Sequence, residues 1–397
     1  MKIVGLRTYV VGNPPPSFGG RYFMLLSLET DDGIVGVGEV YAATFHPRVI
    51  EQAIHDAFDR HLAGSDPFRI ETMWRRLYAS GYTARPDATL VGVMSGLEMA
   101  CWDIVGKAVG KPVHELLGGR VHERLRGYTY LYTEEGDAVD VYLDPELAGE
   151  RAAVYAARGH TALKFDPVGT YSAFDPRQPE LEALNRTEAY VRAVREAVGS
   201  RCDLLVGTHG QFTAPGAVRL ARRLEAYDPL WFEEPVPPDM PEEMAIVARA
   251  TTIPIAAGER LTTKYEFARL LATGGARILQ PNLGRAGGIL EGKKIAALAE
   301  VHYAQIAPHL YCGPVVGAAN IQLAACTPNF LVLEGILEWG GFHAELLKQP
   351  ILWEDGYVQV PTAPGLGVEL DLDVVAAHPY DDAALHLEAH DEPLGLP

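Results

Sequence analysis

Cysteine is scarce: Cys101, Cys202, Cys312 and Cys326 stand far apart and form no CxxC pair. That spacing excludes a zinc knuckle and a disulfide framework and makes a reducing cytoplasm the simplest location. Cationic side chains are also in short supply, with 34 Lys and Arg against 52 Asp and Glu and a formal net charge of -18. A nucleic-acid partner is thereby disfavoured, because neutralising phosphates needs clustered Lys and Arg. An anionic substrate is not, since one local cation or metal overrides the mean field. No apolar stretch reads as long enough to cross a bilayer, so no membrane partner is expected. The opening MKIVGLRTYVV has a short, broken apolar run with no small-residue cleavage site after it and reads as a strand, not a signal peptide.

What is present is an ordinary soluble-enzyme composition, 48% apolar and 22% charged over 397 residues, enough for one large core and a smaller second lobe. Residues 1–125 read as an α+β lobe. IVGLRTYVV and YFMLLSLETDDGIVGVGEV form a meander with Asp32-Gly33 at a hairpin turn, followed by helical pattern through ATLVGVMSGLEMACWDIVGKAVG. From 126 to 340, short apolar runs alternate with amphipathic segments: RGYTYLY, ALKFDP, DLLVGTHG, LWFEEP, IPIAAGE, ILQPN, QIAPHL and FLVLE. Eight strand candidates alternating with helices argue for a closed β/α barrel over an open doubly wound sheet. The tail, 341–397, shows strand and turn signals again and is expected to fold back on the first lobe. Its GLG lacks the strand, third glycine and helix of a dinucleotide fingerprint.

A parallel barrel carries its chemistry at the C-terminal ends of its strands. Those ends read Tyr130 and Tyr132, Lys164 and Asp166, His209, Glu233 and Glu234, Glu259, Asn282, His309 and Glu334. Glu233 and Glu259 are 26 residues apart, about one strand-helix repeat, so their carboxylates can converge. Facing carboxylates repel unless a proton or cation sits between them, and oxygen donors without thiolates select Mg2+ or Mn2+. The plainer reading makes Glu233-Glu234-Pro235 a loop cap and Glu259-Arg260 a surface ion pair. Tyr130 and Tyr132 share a face, for core packing or for substrate. Arg85, Tyr82 and Arg21 read as loop residues, and His46, His55 and His61 have no metal spacing.

LWFEEPV, IAAGER, ILQPNLGRAGG, IAPHLYCGP and the terminal PGLGVELD resemble the enolase superfamily, mandelate racemase subgroup, and its galactonate-dehydratase-like members, over nearly the whole chain. The resemblance implies a modified TIM barrel, (β/α)7β, with an α+β N-terminal capping domain completed by the C-terminal segment. It also implies Mg2+ held by three acids on strands three, four and five, proton abstraction next to a substrate carboxylate, a sugar acid as small-molecule partner, and a homo-oligomer. Residue by residue, Glu233 and Glu259 match the second and third metal ligands and His309 the strand-seven base. Glu334 matches the strand-eight acid near the substrate carboxylate, His209 the general acid, and Lys164 the first lysine of the strand-two motif.

Three positions depart from that pattern. The first metal ligand falls on Gly207, the strand-two lysine nearest substrate is Asp166, and the aspartate that pairs with the strand-seven histidine is Asn282. The first two departures are expected to compensate, with Asp166 restoring the lost carboxylate. His209 as a direct ligand, which would favour Mn2+ or Fe2+, and a site without metal are the alternatives. With an amide in place of a carboxylate, His309 is expected to titrate lower than in relatives bearing the dyad. The expected activity is dehydration of an aldonate or aldarate to a 2-keto-3-deoxy acid by a lyase using His309, His209 and Lys164, with Tyr130, Asn282 and Glu334 near substrate. Racemisation or epimerisation by Lys164 and His309, cycloisomerisation of a lactone or anhydro acid, and a non-catalytic sugar-acid-binding barrel are the competing readings.

Overall fold

β1 (Ile3–Gly12), β2 (Tyr22–Thr30) and β3 (Val35–Val40) pair antiparallel in chain order, with Gly33 in the left-handed region (φ 80°) at the hairpin turn. The computed structural model containing them describes residues 1–381, 385–387 and 389–392. α1 (Pro47–Ala57), α2 (Ile70–Tyr78) and α3 (Ala88–Val109) cover one face of this sheet. Asp87 caps α3 by accepting from Leu90 N at 2.7 Å, and Gly110 ends it in the left-handed region. Strand and helix backbones meet closely: a Cβ on Gly38 would lie 1.9 Å from the Gly96 carbonyl oxygen. α3 corrects one expectation from the sequence. It is long and apolar enough to span a bilayer, but most of it is buried inside the fold as a core helix.

After the short α4 (Val113–Leu116) the chain enters the barrel. Its strands are β4 (Arg124–Tyr130), β5 (Ala162–Phe165), β6 (Asp203–Gly207), β7 (Trp231–Glu233), β8 (Ile255–Ala257), β9 (Ile278–Leu279), β10 (Gln305–Ile306) and β11 (Leu333–Glu334). Each pairs parallel with the next from β4 through β10. Ile306 N donates to the Asn329 carbonyl (2.9 Å) and Leu331 N to the Ile306 carbonyl (2.8 Å), and β11 then pairs with β4. These bonds carry the ladder around to its start, so the backbone has no free edge there. α5 (Pro145–Ala157), α6 (Leu181–Val198), α7 (Ala214–Leu224), α8 (Pro241–Ala250), α9 (Thr263–Thr273), α10 (Ile289–Val301) and α11 (Pro314–Ala325) follow the first seven strands, giving (β/α)7β. The eight runs legible as strands are the eight barrel strands.

One inward side chain per strand or its direct extension fills the barrel floor: Tyr128, Ala162, Leu205, Trp231, Ala256, Ile278, Ala307 and Val332. Since strand side chains alternate, two residues further on comes the next inward layer: Tyr130, Lys164, Gly207, Glu233, Gly258, Gln280, His309 and Glu334. An apolar plug under a polar layer is what fixes the site at one mouth.

The tail does two things. After α12 (Phe342–Glu345), β12 (Trp353–Glu354) and β13 (Tyr357–Gln359) form a hairpin that pairs antiparallel with β4, so this part joins the barrel. The chain then returns to the first lobe, where Leu366 N donates to Asp103 Oδ1 (2.9 Å) before α13 (Leu372–Ala377). Two buried glutamates lock lobe to barrel. Glu39 accepts from Gly313 N (2.5 Å) and Val316 N (2.9 Å) at the start of α11, and Glu98 from Ile289 N (2.7 Å) and Leu290 N (2.9 Å) at the start of α10.

Burial pushes both carboxyls up to about 7, against the lowering effect of those N–H donors. Because the folded-state value lies above the ordinary 4.5, the folded protein holds more protons than the unfolded chain between 4.5 and 7. The stability from this source is full below 4.5 and is lost as pH rises through 7. Glu39→Gln should therefore lose less unfolding free energy than the wild type between pH 4.5 and 7, measured by denaturant titration. Parallel curves would contradict this.

Candidate active site

The mouth of the barrel opens into a cavity of about 1140 Å3. Tyr130, Asp166, His209, Glu259 and His309 line it from the barrel, and Phe18, Tyr41 and Thr44 line it from the first lobe. The residues singled out at the strand ends thus divide into two depths. Lys164, Glu233, Asn282 and Glu334 lie below the cavity, almost fully buried, and do not line it.

The lower layer is organised by Lys164. Its ammonium lies 2.5 Å from Glu233 Oε1, 3.5 Å from Glu334 Oε1 and 4.8 Å from the Tyr130 ring centroid. Burial works against the lysine charge, yet Glu233 first and then Glu334 more than compensate and hold the group above the ordinary lysine range. The two carboxyls beside it thus favour its ammonium form. Glu233 also accepts from Gln280 Nε2 (2.8 Å), and burial, partly opposed by Lys164, pushes its carboxyl up. Glu334 accepts from Leu310 N (2.6 Å). Glu234 pairs with Arg260 at 2.7 Å, so Arg260 is the partner of Glu234 and not of Glu259.

Both histidines face the cavity. His209 follows β6 on the third barrel strand and His309 follows β10 on the seventh, so they face each other across an eight-stranded mouth. His209 adopts φ 47° and Glu234 φ 40°, left-handed conformations that cost about 1–3 kcal/mol each and concentrate at functional sites. Thr208 Oγ1 steadies this turn, lying 2.8 Å from the Glu233 carbonyl and 2.9 Å from that of Glu234. His209 Nδ1 is 3.3 Å from Asp166 Oδ2. Burial lowers its basicity, but Asp166 and then Glu259 outweigh that and raise it.

His309 has a different partner. Asn282 Oδ1 accepts from Gly284 N (2.9 Å), which turns its Nδ2 toward His309 Nδ1 at 2.9 Å. The neutral ring therefore carries its proton on Nε2, which points to Glu259 Oε2 at 3.5 Å. Burial lowers the His309 value, and Glu259 and Glu334 counter it only in part. Burial is the largest cause of this lowering.

Gly207 and Asp166 fit together sterically. A Cβ on Gly207 would lie 2.0 Å from Asp166 Oδ1, so the carboxylate of β5 occupies the space where a β6 side chain would begin. The buried oxygens Asp166 Oδ1 and Glu259 Oε2 have no hydrogen-bond partner. Unpartnered buried carboxylate oxygens call for a cation or a proton. Among the described residues no three ligand-type side chains converge closely enough to form a ready-made cage. The donor set, all carboxylate oxygen, nonetheless suits a hard divalent ion.

Sequence reasoning passed over several groups. Gln280 lies two residues before Asn282, and stepping back along that strand would have found it. Tyr41, Phe18 and Tyr171 come from outside the barrel strands and gave no such signal.

A closed parallel barrel with carboxylates and two histidines at one mouth, roofed by an α+β lobe, is the architecture of the enolase-like enzymes. The chain belongs to the mandelate racemase/muconate lactonizing enzyme family: that family's N-terminal domain matches residues 16–118, and an enolase C-terminal domain-like region matches residues 146–374. It is 38% identical over 381 residues to a D-galactonate dehydratase of Ralstonia nicotianae, covering 94% of this chain and 92% of that protein. It is 34% identical over 384 residues to a D-xylonate dehydratase of Haloferax volcanii, covering 95% and 89%. Among solved structures it is similar to a mandelate racemase/muconate lactonizing enzyme from a Sulfitobacter species, 52% identical with a TM-score of 0.97 over 100% of both chains.

Proposed function

We propose that the protein is a hydro-lyase that dehydrates a sugar acid, an aldonate or aldarate, to a 2-keto-3-deoxy acid. The observation that carries this reading is the pair of histidines on opposite strands of one cavity, one backed by a carboxylate and the other by an amide. Elimination needs an acid and a base held in different protonation states, and the two partners supply that difference. His209, raised by Asp166, is the imidazolium that gives its proton to the departing β-hydroxyl. His309, lowered and neutral, accepts the α-proton at Nε2. The C–O bond breaks as the C–H electrons form the enol, water leaves with the His209 proton, and the enol tautomerises to the ketone.

For His309 to accept at Nε2 its remaining proton must sit on Nδ1, so Asn282 must turn its oxygen to the ring and release Gly284 N–H. That rearrangement costs about 1 kcal/mol for the bond given up. Asn282→Asp removes the cost and adds a negative charge that favours the imidazolium. The acid limb of kcat/KM should then move up by about one pH unit or more, from below 6.5 in the wild type. A pH-rate profile in which the limb does not move would contradict the assignment of His309.

The divalent ion, Mg2+ or Mn2+, would be held by Asp166, Glu233 and Glu259. When bound, it takes up negative charge that develops on the substrate carboxylate. Lys164 supplies fixed positive charge beneath Glu233 and Glu334. Lying beneath the cavity and not lining it, Lys164 is poorly placed as the second base that the epimerase reading requires. Incubation with D-galactonate, D-xylonate and a panel of aldaric acids in D2O, followed by NMR, tests the proposal. A 2-keto-3-deoxy product is expected, whereas α-deuterium without keto acid would indicate epimerisation and contradict it.

A further inference from the structure

The carboxyl-terminal tail, which the catalytic reading leaves unused, reaches the packing partner of each histidine. Leu387 and Ala389 line the cavity itself. On the first-lobe side Arg21 Nη1 donates to the Leu385 carbonyl (3.4 Å), and the His386 ring is wedged edge-on among Tyr22 (5.3 Å), Tyr41 (5.2 Å) and Tyr311 (6.1 Å). Gly20 is glycine because a Cβ there would lie 1.9 Å from His386 Nε2. Tyr41 in turn packs on His309, with ring centroids 6.2 Å apart.

On the other side His390 N donates to the Tyr171 carbonyl (3.2 Å) and the His390 carbonyl accepts from Ala173 N (2.9 Å). Tyr171 packs on His209 at 5.0 Å. The tail therefore spans from the neighbour of one histidine to the neighbour of the other.

We propose that the tail is a positioning element for the catalytic histidines, in which His386 acts as an aromatic wedge that sets Tyr41 and Tyr311 against His309, while the His390 backbone sets Tyr171 against His209. The imidazole contributes chiefly shape, since its buried nitrogens make no well-formed hydrogen bond and the Gly19 backbone offers only a minor polar contact. Burial, aided by Arg285, holds its value down to about 3, so the ring is neutral. Phenylalanine, similar in shape and also uncharged, should replace it; alanine should not.

The inference rests on the dehydratase reading for its kinetic test but not for its structural one. With D-galactonate as substrate, His386→Ala and Gly20→Ala should lower kcat by about 10- to 100-fold, the scale expected when catalytic groups are misplaced, while His386→Phe retains most of it. In the absence of any ligand, amide hydrogen exchange in peptides covering Tyr171–Ala173 should quicken in His386→Ala by about tenfold and stay near wild type in His386→Phe. Unchanged kcat and unchanged exchange in His386→Ala would overturn the proposal, as would a His386→Phe variant as damaged as the alanine one. If the wild-type protein turns over no sugar acid, the dehydratase reading fails, and the exchange measurement still decides the role of the tail.

Discussion

Lys164→Ala should destabilise the protein by about 3–5 kcal/mol, the scale expected when one partner of a buried ion pair is removed and the other left behind. The lysine side chain is fully buried, with Glu233 at 2.5 Å and Glu334 at 3.5 Å. Without it, those two carboxyls and Glu259 would face one another in a water-poor layer. Glu233, whose carboxyl burial already pushes up against the opposing pull of Lys164, would lose the cation that favours its charge. Adding Glu233→Gln removes the unpaired charge and should recover part of the loss, which makes the pair of variants a test of charge and not of volume. Denaturant unfolding measures both. Equal stabilities for the single and double variants would contradict the assignment of Lys164 as the internal counter-charge.

The second large effect concerns Gly207 and Asp166. Gly207→Asp alone should be severely damaging, because its Cβ would lie 2.0 Å from Asp166 Oδ1 and the two carboxylates would compete for one space. Asp166→Ala alone should lower kcat/KM by about 100-fold or more, since it removes both the partner of His209 and an oxygen donor of the mouth. Combined, the two substitutions exchange strands while conserving the carboxylate. The double variant should exceed Asp166→Ala in kcat/KM by about tenfold, a coupling that independent sites would not show. Additive losses would mean that Asp166 does not stand in for a strand-three acid.

Much of this was legible in the sequence for identifiable reasons. Parallel strands buried on both faces read as short unbroken apolar runs, which is why ALKF, DLLVG and WFE stood out. Ionisable residues ending such runs marked the mouth, and the motifs from LWFEEPV to PGLGVELD carried the family. Depth was harder to see. Lys164 and Asp166 are two residues apart and look equivalent on the page, yet one lies beneath the cavity and the other lines it. The same holds for Asn282 and Glu334, which act through His309 and Leu310 N and not on the cavity directly.

Contacts between distant segments left no local trace. Glu39 reaching α11, Asp103 reaching Leu366 and His386 reaching Tyr41 join residues hundreds of positions apart. Glu98, Asp103 and Lys107 interrupt the apolar run of α3. These are the residues that tie it to neighbouring elements, Glu98 to the start of α10 and Asp103 to β3 and the tail, with Lys107 paired to Asp103.

The most direct measurement is calorimetric titration of the purified, chelator-treated protein with Mg2+ and Mn2+, beside the Asp166→Ala variant. Saturable binding of one ion per chain in the wild type, weakened about 10- to 100-fold or more in the variant, is the expected result. Identical binding in the two proteins, or no binding in either, would contradict the account that carboxylates gathered at this mouth, Asp166 among them, hold a divalent ion.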